Sequence, residues 1–274
     1  MIEQERDYLF DLQGYLVLKN ALSPERVRAI NAWVDAQPES KPGDWLGHVH
    51  VHSYQGHDGT NYQNIVEGGS VFEELLDHPA WYGDAQRWIG NQFARLSINE
   101  CFLNIRGQGG FIGIHSGGHY PAFPCVTRHH SGNWMVGQIN ILMALTDIGP
   151  GDGPTVLIPG SHKCAVIHPF IAAGPNKVYR DTEPASMAAG MQEMYLKAGD
   201  ALLFTDAVTH GSAERTNSGD RRILIYRYSP HYIATRFNYE PSEELLERLT
   251  PERRALIQPV PPRRAPHARV AAAV

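Results

Sequence analysis

Two histidines and an arginine offer the clearest chemistry in this chain. His115 closes the strand-like run that ends at Ile114. His210 follows the apolar run ALLFT after a short bend, and Arg221 opens the next strand-like run eleven residues later. A hairpin with histidine at its start and arginine on its return strand aims both side chains into one barrel mouth. Imidazole suits iron(II), and a guanidinium fork matches a carboxylate bidentately, which lysine cannot do. Taken singly each residue is weak evidence, because a histidine beside a turn more often packs or faces solvent, and there are 14 histidines to choose from.

The elements that must position these residues are legible in outline. Ser23-Pro24-Glu25 reads as a helix start: a capping hydroxyl, proline at the first helical position, then an acid near the positive dipole end. Val27, Ile30 and Val34 follow at helical spacing with Trp33 beside them. A second helical region is expected over Val71 to Asn91, restarted at Pro79. The segment between, Gly43 to Gly69, reads as a long loop with one strand at HVHVH. From Leu96 the pattern turns to short β-type runs (LSINECFLNI, MVGQINILMAL, PTVLIP, ALLFT and RILIYRY) parted by GPGDGP and NSGD turns. Such spacing predicts a mainly β chain with flanking helices, a sandwich or barrel of the jelly-roll and cupin kind. Two helical pieces begun by Ser242 and by Thr250-Pro251 follow. The expected layout is one domain over 1–260, with a helical buttress over 1–95, a β core over 96–230 and closing helices over 231–260. The Pro-rich basic stretch 261–274 reads as a disordered tail.

Composition narrows the function. A formal net charge of −5 gives no basic face for DNA or RNA, so no nucleic-acid polymer is expected as partner. Cys101, Cys125 and Cys164 show no CxxC spacing, which fits a reducing cytoplasm rather than a disulfide framework. MIEQERDYLF lacks the basic and apolar regions of a signal peptide, and no run approaches the ~18–20 apolar residues of a membrane span. A cytoplasmic protein without membrane contact is the expectation, its oligomeric state open.

Two stretches carry a resemblance. ALTDIGPGDGPTVLIPGSHK (Ala144 to Lys163) is similar to the strand, acidic turn, strand and PGSHK loop of the phytanoyl-CoA dioxygenase-like branch of the iron(II)/2-oxoglutarate oxygenases. GDALLFTDAVTHGS followed by RR resembles that branch's distal-histidine strand and 2-oxoglutarate arginine. The likeness runs from about Asn99 to Pro230 and implies a double-stranded β-helix that uses Fe(II), 2-oxoglutarate and O2. It makes His115 and His210 metal ligands, Arg221 the grip on the far carboxylate of 2-oxoglutarate, Ser212 a hydrogen bond to it, and Trp134 an aromatic wall. Of Arg221 and Arg222 only one can face inward in alternating strand geometry, and the spacing from His210 favours Arg221. His162 within PGSHK reads as a loop anchor.

One expected residue is missing. The usual facial triad adds a carboxylate two residues after the first histidine, but here the run is His115-Ser116-Gly117-Gly118-His119, with no Asp or Glu between Glu100 and Asp147. Asp147 and Asp152 belong to the turn motif and are expected to be held in turn hydrogen bonds. Three readings stay open. The HxG pattern is similar to that of aliphatic halogenases, in which chloride fills the space at Gly117 and Ser116. A hydroxylase with an atypical site would recruit another residue, Asp206 or His119. A non-catalytic member of the family would bind without turnover.

Arg106, His115, His119, Arg128, His129 and His130 make the acid-free interval positive, which suggests an anionic small-molecule substrate. Gln138 and Asn140 share a strand face and offer amides inside the barrel. His48, His50 and His52 alternate onto one face, read as a lid or a solvated strand, and Trp45, Tyr54, Tyr62 and Tyr120 offer flat faces for a ring. Size, HxG pattern and overall body together are similar to nucleotide chlorinases that act on the sugar of 2′-deoxyadenosine 5′-monophosphate.

Overall fold

The computed structural model describes residues 1–89, 95–119, 125–130, 132–175, 177–233 and 239–258. The first five strands are β1 (Tyr15–Leu18), β2 (Trp45–Leu46), β3 (Val49–His52), β4 (Thr60–Gln63) and β5 (Leu96–Arg106). Then come β6 (Ile112–His115), β7 (Thr127–His130), β8 (Asn133–Val136), β9 (Ile139–Ala144) and β10 (Thr155–Leu157). The last are β11 (Tyr179–Arg180), β12 (Gln192–Met194), β13 (Ala201–Thr205), β14 (His210–Ser212) and β15 (Arg221–Pro230). Among the described residues the large sheet has the order β1-β13-β9-β15-β5-β4-β3-β2 and the small one β11-β6-β14-β10-β12, with β7-β8 a separate hairpin. Every strand pairing is antiparallel. Two antiparallel sheets packed on one another make the jelly roll that the turn spacing led one to expect.

The large sheet is apolar on both faces, and this explains its continuous runs. Along β15, Ile223 and Ile225 turn to the small sheet, while Leu224, Tyr226 and Tyr228 turn to the helices. Along β13, Leu202 and Phe204 face in while Leu203 faces out. The outward face is covered by α1 (Glu3–Gln13), α2 (Pro24–Asp35), α3 (Ser70–Glu73) and α4 (Tyr82–Trp88), which contribute Phe10, Ile30, Phe72 and Trp88 to a common core. Ser23 caps α2, its hydroxyl accepting from the Arg26 N–H. After the short α5 (Pro169–Ala172), α6 (Glu243–Arg248) and α7 (Pro251–Ile257) start at the expected Ser242 and Thr250 caps.

Three local expectations change. The segment 43–69 is not a loop with one strand: β2, β3 and β4 extend the large sheet, because Val49 and Val51 alternate with the histidines and bury one face. The run from Val71 does restart near Pro79, but its two helices, α3 and α4, are shorter than expected and its last residues lie outside the described ones. MVGQINILMAL is broken between β8 and β9 at Gly137-Gln138, which matters for the site. The stretch 261–274 and Tyr120 also lie outside the described residues. No helix of the described residues is long and apolar enough to cross a membrane.

Candidate active site

β6 and β14 are neighbours in the small sheet, and their register places His115 directly opposite His210. The two rings stand 4.1 Å apart, centre to centre. Each ring is fixed the same way. His115 donates from Nδ1 to the carbonyl of Gly113 at 3.0 Å, and His210 from Nδ1 to that of Val208 at 2.7 Å. A carbonyl can only accept, so Nδ1 carries the proton and Nε2 presents its lone pair, the form of imidazole that binds a cation.

The place beside Gly117 is filled. Asp206, in the turn between β13 and β14, brings its carboxylate to where a residue 117 side chain would go. A methyl built on Gly117 would overlap Asp206 Oδ2 and stand 3.0 Å from its Cγ. Asp206 Oδ1 lies 4.0 Å from His210 Nε2. Two donors sharing a cation at roughly 2 Å each stand about 3 to 4 Å apart. Among the described residues no three such groups form a finished metal cage; His115 and His210 are a facing pair, with the Asp206 carboxylate beside His210. The turn carrying Asp206 is tied down. Its N–H donates to Gln138 O at 3.0 Å, its carbonyl accepts from Gly117 N–H at 2.8 Å, and Ser116 Oγ donates to Ala207 O at 2.8 Å.

These residues open into a cavity of about 350 Å³ between the two sheets, within the range usual for small-molecule sites. One end is cationic. Arg221 and Arg106 are cross-strand partners on β15 and β5, each only 2% exposed. Arg221 donates to Gly153 O, and its Nε has no partner among the described residues. Burial drives its pKa well below the usual arginine range, with Arg106 and Arg215 adding repulsion. Burial likewise lowers Arg106 to about 10, opposed by Asp58. Ser212 lies between: its Oγ accepts from Arg106 at 2.6 Å and from Ile112 N–H at 2.7 Å, leaving its own proton to donate into the cavity. Arg222 points the other way, to Asp35 and Asp220.

The middle of the cavity is apolar, lined by Phe102, Leu142, Phe204 and Ile225. The far end holds Arg227, ion-paired to Glu100, whose carboxylate also accepts from Tyr54 and Gln63. A loop from β3 to β4 closes over it, stapled by Asp58. That carboxylate accepts from Ser53 Oγ (2.7 Å), Gln55 N–H (2.8 Å), Tyr54 N–H (3.1 Å) and Asn61 Nδ2 (2.7 Å). Burial alone would raise its pKa, but the hydrogen bonds outweigh burial and lower it. A depressed folded pKa stabilises above the unfolded value, near 4, and that stability is lost as pH falls through the folded value. Asp58→Asn is expected to cost about 1–3 kcal/mol at neutral pH. The gap to the wild type should narrow in urea unfolding as pH falls below the ordinary carboxylate range; a gap that does not change with pH refutes the assignment.

Several expected site residues lie elsewhere. Trp134 packs against Phe10 and Trp88 in the helical core, at 5.7 and 5.9 Å, because the break at Gly137-Gln138 removes it from the inward face of β9. It is not among the residues that line the cavity. Arg128, His129 and His130 are exposed on β7, and His119 bonds to Cys164 O outside the cavity lining. Of the positive groups read from the acid-free interval, Arg106 and His115 line the cavity, while His119, Arg128, His129 and His130 do not. Tyr62 is buried against Trp33 and Trp45 is exposed, while Tyr54 does line the cavity. Ser116 is buried with its hydroxyl spent on Ala207. Gln138 and Asn140 are buried, and Asn140 reaches the lining. His162 is bonded to Asp11 O, as a loop anchor. Asp152 accepts from Gly149 N–H and Arg215, and Asp147 from Ala198 N–H and Lys197.

A family model for phytanoyl-CoA dioxygenase matches residues 10–223. The chain belongs to the phytanoyl-CoA dioxygenase family. It is therefore an enzyme of the iron/2-oxoglutarate dioxygenase class. Among curated relatives, dioxygenase FUM3 of Gibberella moniliformis is 25% identical over 81% of this chain and 70% of its own length. Ectoine dioxygenase of Nocardia farcinica is 26% identical, with 77% and 72% covered. Dioxygenase cdmD of Talaromyces verruculosus reaches 30% identity, but over 42% of this chain and only 33% of its own length. HygX of Streptomyces hygroscopicus, solved with nickel and 2-oxoglutarate bound, superposes with a TM-score of 0.69 at 19% identity, covering 89% of this chain and 94% of HygX. The family membership fits what the cavity presents: two oriented imidazoles with a carboxylate beside them, and a cationic end.

Proposed function

We propose that this family member is an Fe(II)/2-oxoglutarate-dependent oxygenase that places oxygen on, or oxidises, an sp3 carbon of a small polar metabolite. The observation that carries the reading is the Asp206 carboxylate filling the space beside Gly117. His115, His210 and Asp206 supply the two imidazoles and one carboxylate that non-haem iron(II) takes. With 2-oxoglutarate and O2, iron supplies an oxidant able to break an unactivated C–H bond.

The chain's own residues do the positioning. His210 and Ser212 sit two residues apart on one strand, roughly 6.6 Å, which is the span of a five-carbon dicarboxylate. Bound there, one end of 2-oxoglutarate would be held near the imidazoles and the other by Ser212, Arg221 and Arg106. Phe102, Leu142, Phe204 and Ile225 line the middle of the same cavity. The remaining half is charge-balanced, since Arg227 already faces Glu100. The cavity lining also carries acceptors: Asn104 Oδ1, between Arg106 and Phe102 along β5, is buried with no partner among the described residues, and Asp181 sits beside Gly113. A molecule bearing hydroxyl or amine donors suits it better than a phosphate. HygX, for comparison, has been solved with hygromycin B bound.

A second reading, chlorination of a carbon on a nucleotide such as 2′-deoxyadenosine 5′-monophosphate, is favoured by the glycine at 117. Chloride there would share its space with the Asp206 carboxylate. Two like charges about 4 Å apart repel by on the order of 4 kcal/mol near a protein surface, enough to favour oxygen chemistry. Anaerobic titration with Fe(II) and 2-oxoglutarate, followed by visible absorption, tests the choice. The charge-transfer band of bound 2-oxoglutarate should form without chloride and be lost in Asp206→Ala. A band that needs chloride, or that survives Asp206→Ala and shifts with bromide, would hand the case to chlorination.

A further inference from the structure

We infer that Asn99, Gln138 and Asn140 form a directional chain of buried amides that aims the Asp206 carboxylate at the metal position; this rests on the reading of Asp206 as a ligand. Asn140 Nδ2 donates to Asp206 Oδ1 at 2.9 Å, Gln138 Nε2 to Asn140 Oδ1 at 2.9 Å, and Asn99 Nδ2 to Gln138 Oε1 at 2.9 Å. All four side chains are at least nine-tenths buried: Asn99 8%, Gln138 0%, Asn140 1% and Asp206 2% exposed.

The carboxylate sets the direction of the chain. An ionised carboxylate only accepts, so Asn140 must turn its NH2 towards Asp206 and its carbonyl towards Gln138. Gln138 must then donate to Asn140 and accept from Asn99. Oδ1 of Asp206 is occupied by Asn140, and Oδ2 is the oxygen turned to Gly117. Residue 138 also holds the aspartate directly, its backbone carbonyl accepting the Asp206 N–H at 3.0 Å.

Backbone irregularities make room for this chain. β15 pairs Arg227 with Glu100 and Tyr228 with Ile98, so Asn99 is the extra residue of a β-bulge. A bulge re-aims side chains that regular alternation would send to opposite faces. Here Glu100 reaches Arg227 and its neighbour Asn99 reaches Gln138. Gln138 itself sits at the break between β8 and β9, where the chain leaves the hairpin for the sheet. Asn140 follows on β9, opposite Phe204 on β13, two residues before Asp206. Groups that hold a metal's carboxylate ligand commonly change metal affinity by about 10–100-fold when removed.

The test uses Co(II) as a spectroscopic probe, titrated anaerobically into the metal-free protein. Asn140→Ala should weaken Co(II) binding by about 10–100-fold. Gln138→Glu, which keeps the shape, should weaken it at least about tenfold. Its second carboxylate oxygen forces Asn140 to reverse its amide and turn a carbonyl on Asp206. In an Asp206→Ala background neither change should weaken binding further, since the chain then has nothing to aim. Melting of each metal-free variant within a few degrees of wild type excludes simple misfolding. Co(II) affinity within about twofold of wild type in Asn140→Ala or Gln138→Glu overturns the inference, as does a full effect persisting without Asp206. If Asp206→Ala alone binds Co(II) like the wild type, the ligand reading itself falls.

Discussion

Gly117→Ala is expected to abolish 2-oxoglutarate turnover, with iron affinity falling by at least about 100-fold. The added methyl overlaps Asp206 Oδ2 and stands 3.0 Å from both its Cγ and its main-chain oxygen. The carboxylate is short, buried and held by Asn140, so it cannot swing away without breaking that bond. The turn behind it is fixed to Gln138 and Gly117. Losing a ligand rather than one of its supporting residues sets the size of the effect. The chlorination reading expects the opposite, because alanine leaves nearly as much room for a halide as glycine does. Retained metal binding and retained turnover in Gly117→Ala would therefore remove Asp206 from the site. A paired change, Gly117→Asp with Asp206→Ala, moves the carboxylate to the other side of the same space. Partial recovery of iron affinity is its expected outcome, measured against each single variant.

The second large effect concerns the two buried guanidiniums. Arg221→Ala is expected to weaken 2-oxoglutarate binding by about 2–5 kcal/mol, roughly 30-fold or more, because a buried carboxylate loses its bidentate partner. Arg221→Lys should recover little of this, since an ammonium is a point charge. The ligand-free protein should behave differently. Arg106 and Arg221 repel one another without a bound anion, so Arg221→Met should leave it as stable as the wild type or more so. Urea unfolding with and without 2-oxoglutarate reads both arms. At a hundred times the wild-type Kd the co-substrate should add about 2.7 kcal/mol to the wild type and less than about 1 kcal/mol to Arg221→Met. A strong loss of stability in ligand-free Arg221→Met would mark the arginine as a structural strut instead.

The jelly roll was legible because turn signals and apolar runs are local properties. Caps such as Ser23, Ser242 and Thr250 depend on three or four neighbouring residues, and each stands where its local pattern put it. Of β2 to β4 only β3 was read as a strand, because the asparagines and glycines around it look like turn chemistry. Only pairing with β5 gives Asn61 and Gln63 an inward role. The histidine pair and the inward Arg221 follow from alternation beside turns. Arg106 could have been placed with Arg221 in the same way, since Phe102, Asn104 and Arg106 share a face of β5, but its partner depends on register. Trp134 failed for a related reason: a two-residue break between strands resets which side chains face in. Asp206 was visible as a candidate but not as the occupant of the space at Gly117. That fact belongs to the closeness of a turn and a strand end about ninety residues apart in the chain. The bulge at Asn99 leaves no mark in composition at all.

If iron takes the proposed ligands His115, His210 and Asp206, their chain positions reverse the usual order of assembly. In the common pattern two ligands arrive together on the earlier strand and a lone histidine joins later. Here His115 stands alone, while Asp206 and His210 come four residues apart from a single turn. A nascent or partly opened molecule would keep that two-donor hook so long as the β13–β14 turn persisted, and would need only one imidazole from β6 to complete it. Metal loss should then begin with separation of β6 from β14, which hydrogen exchange along Ile112–His115 would report before the β13–β14 turn itself gave way.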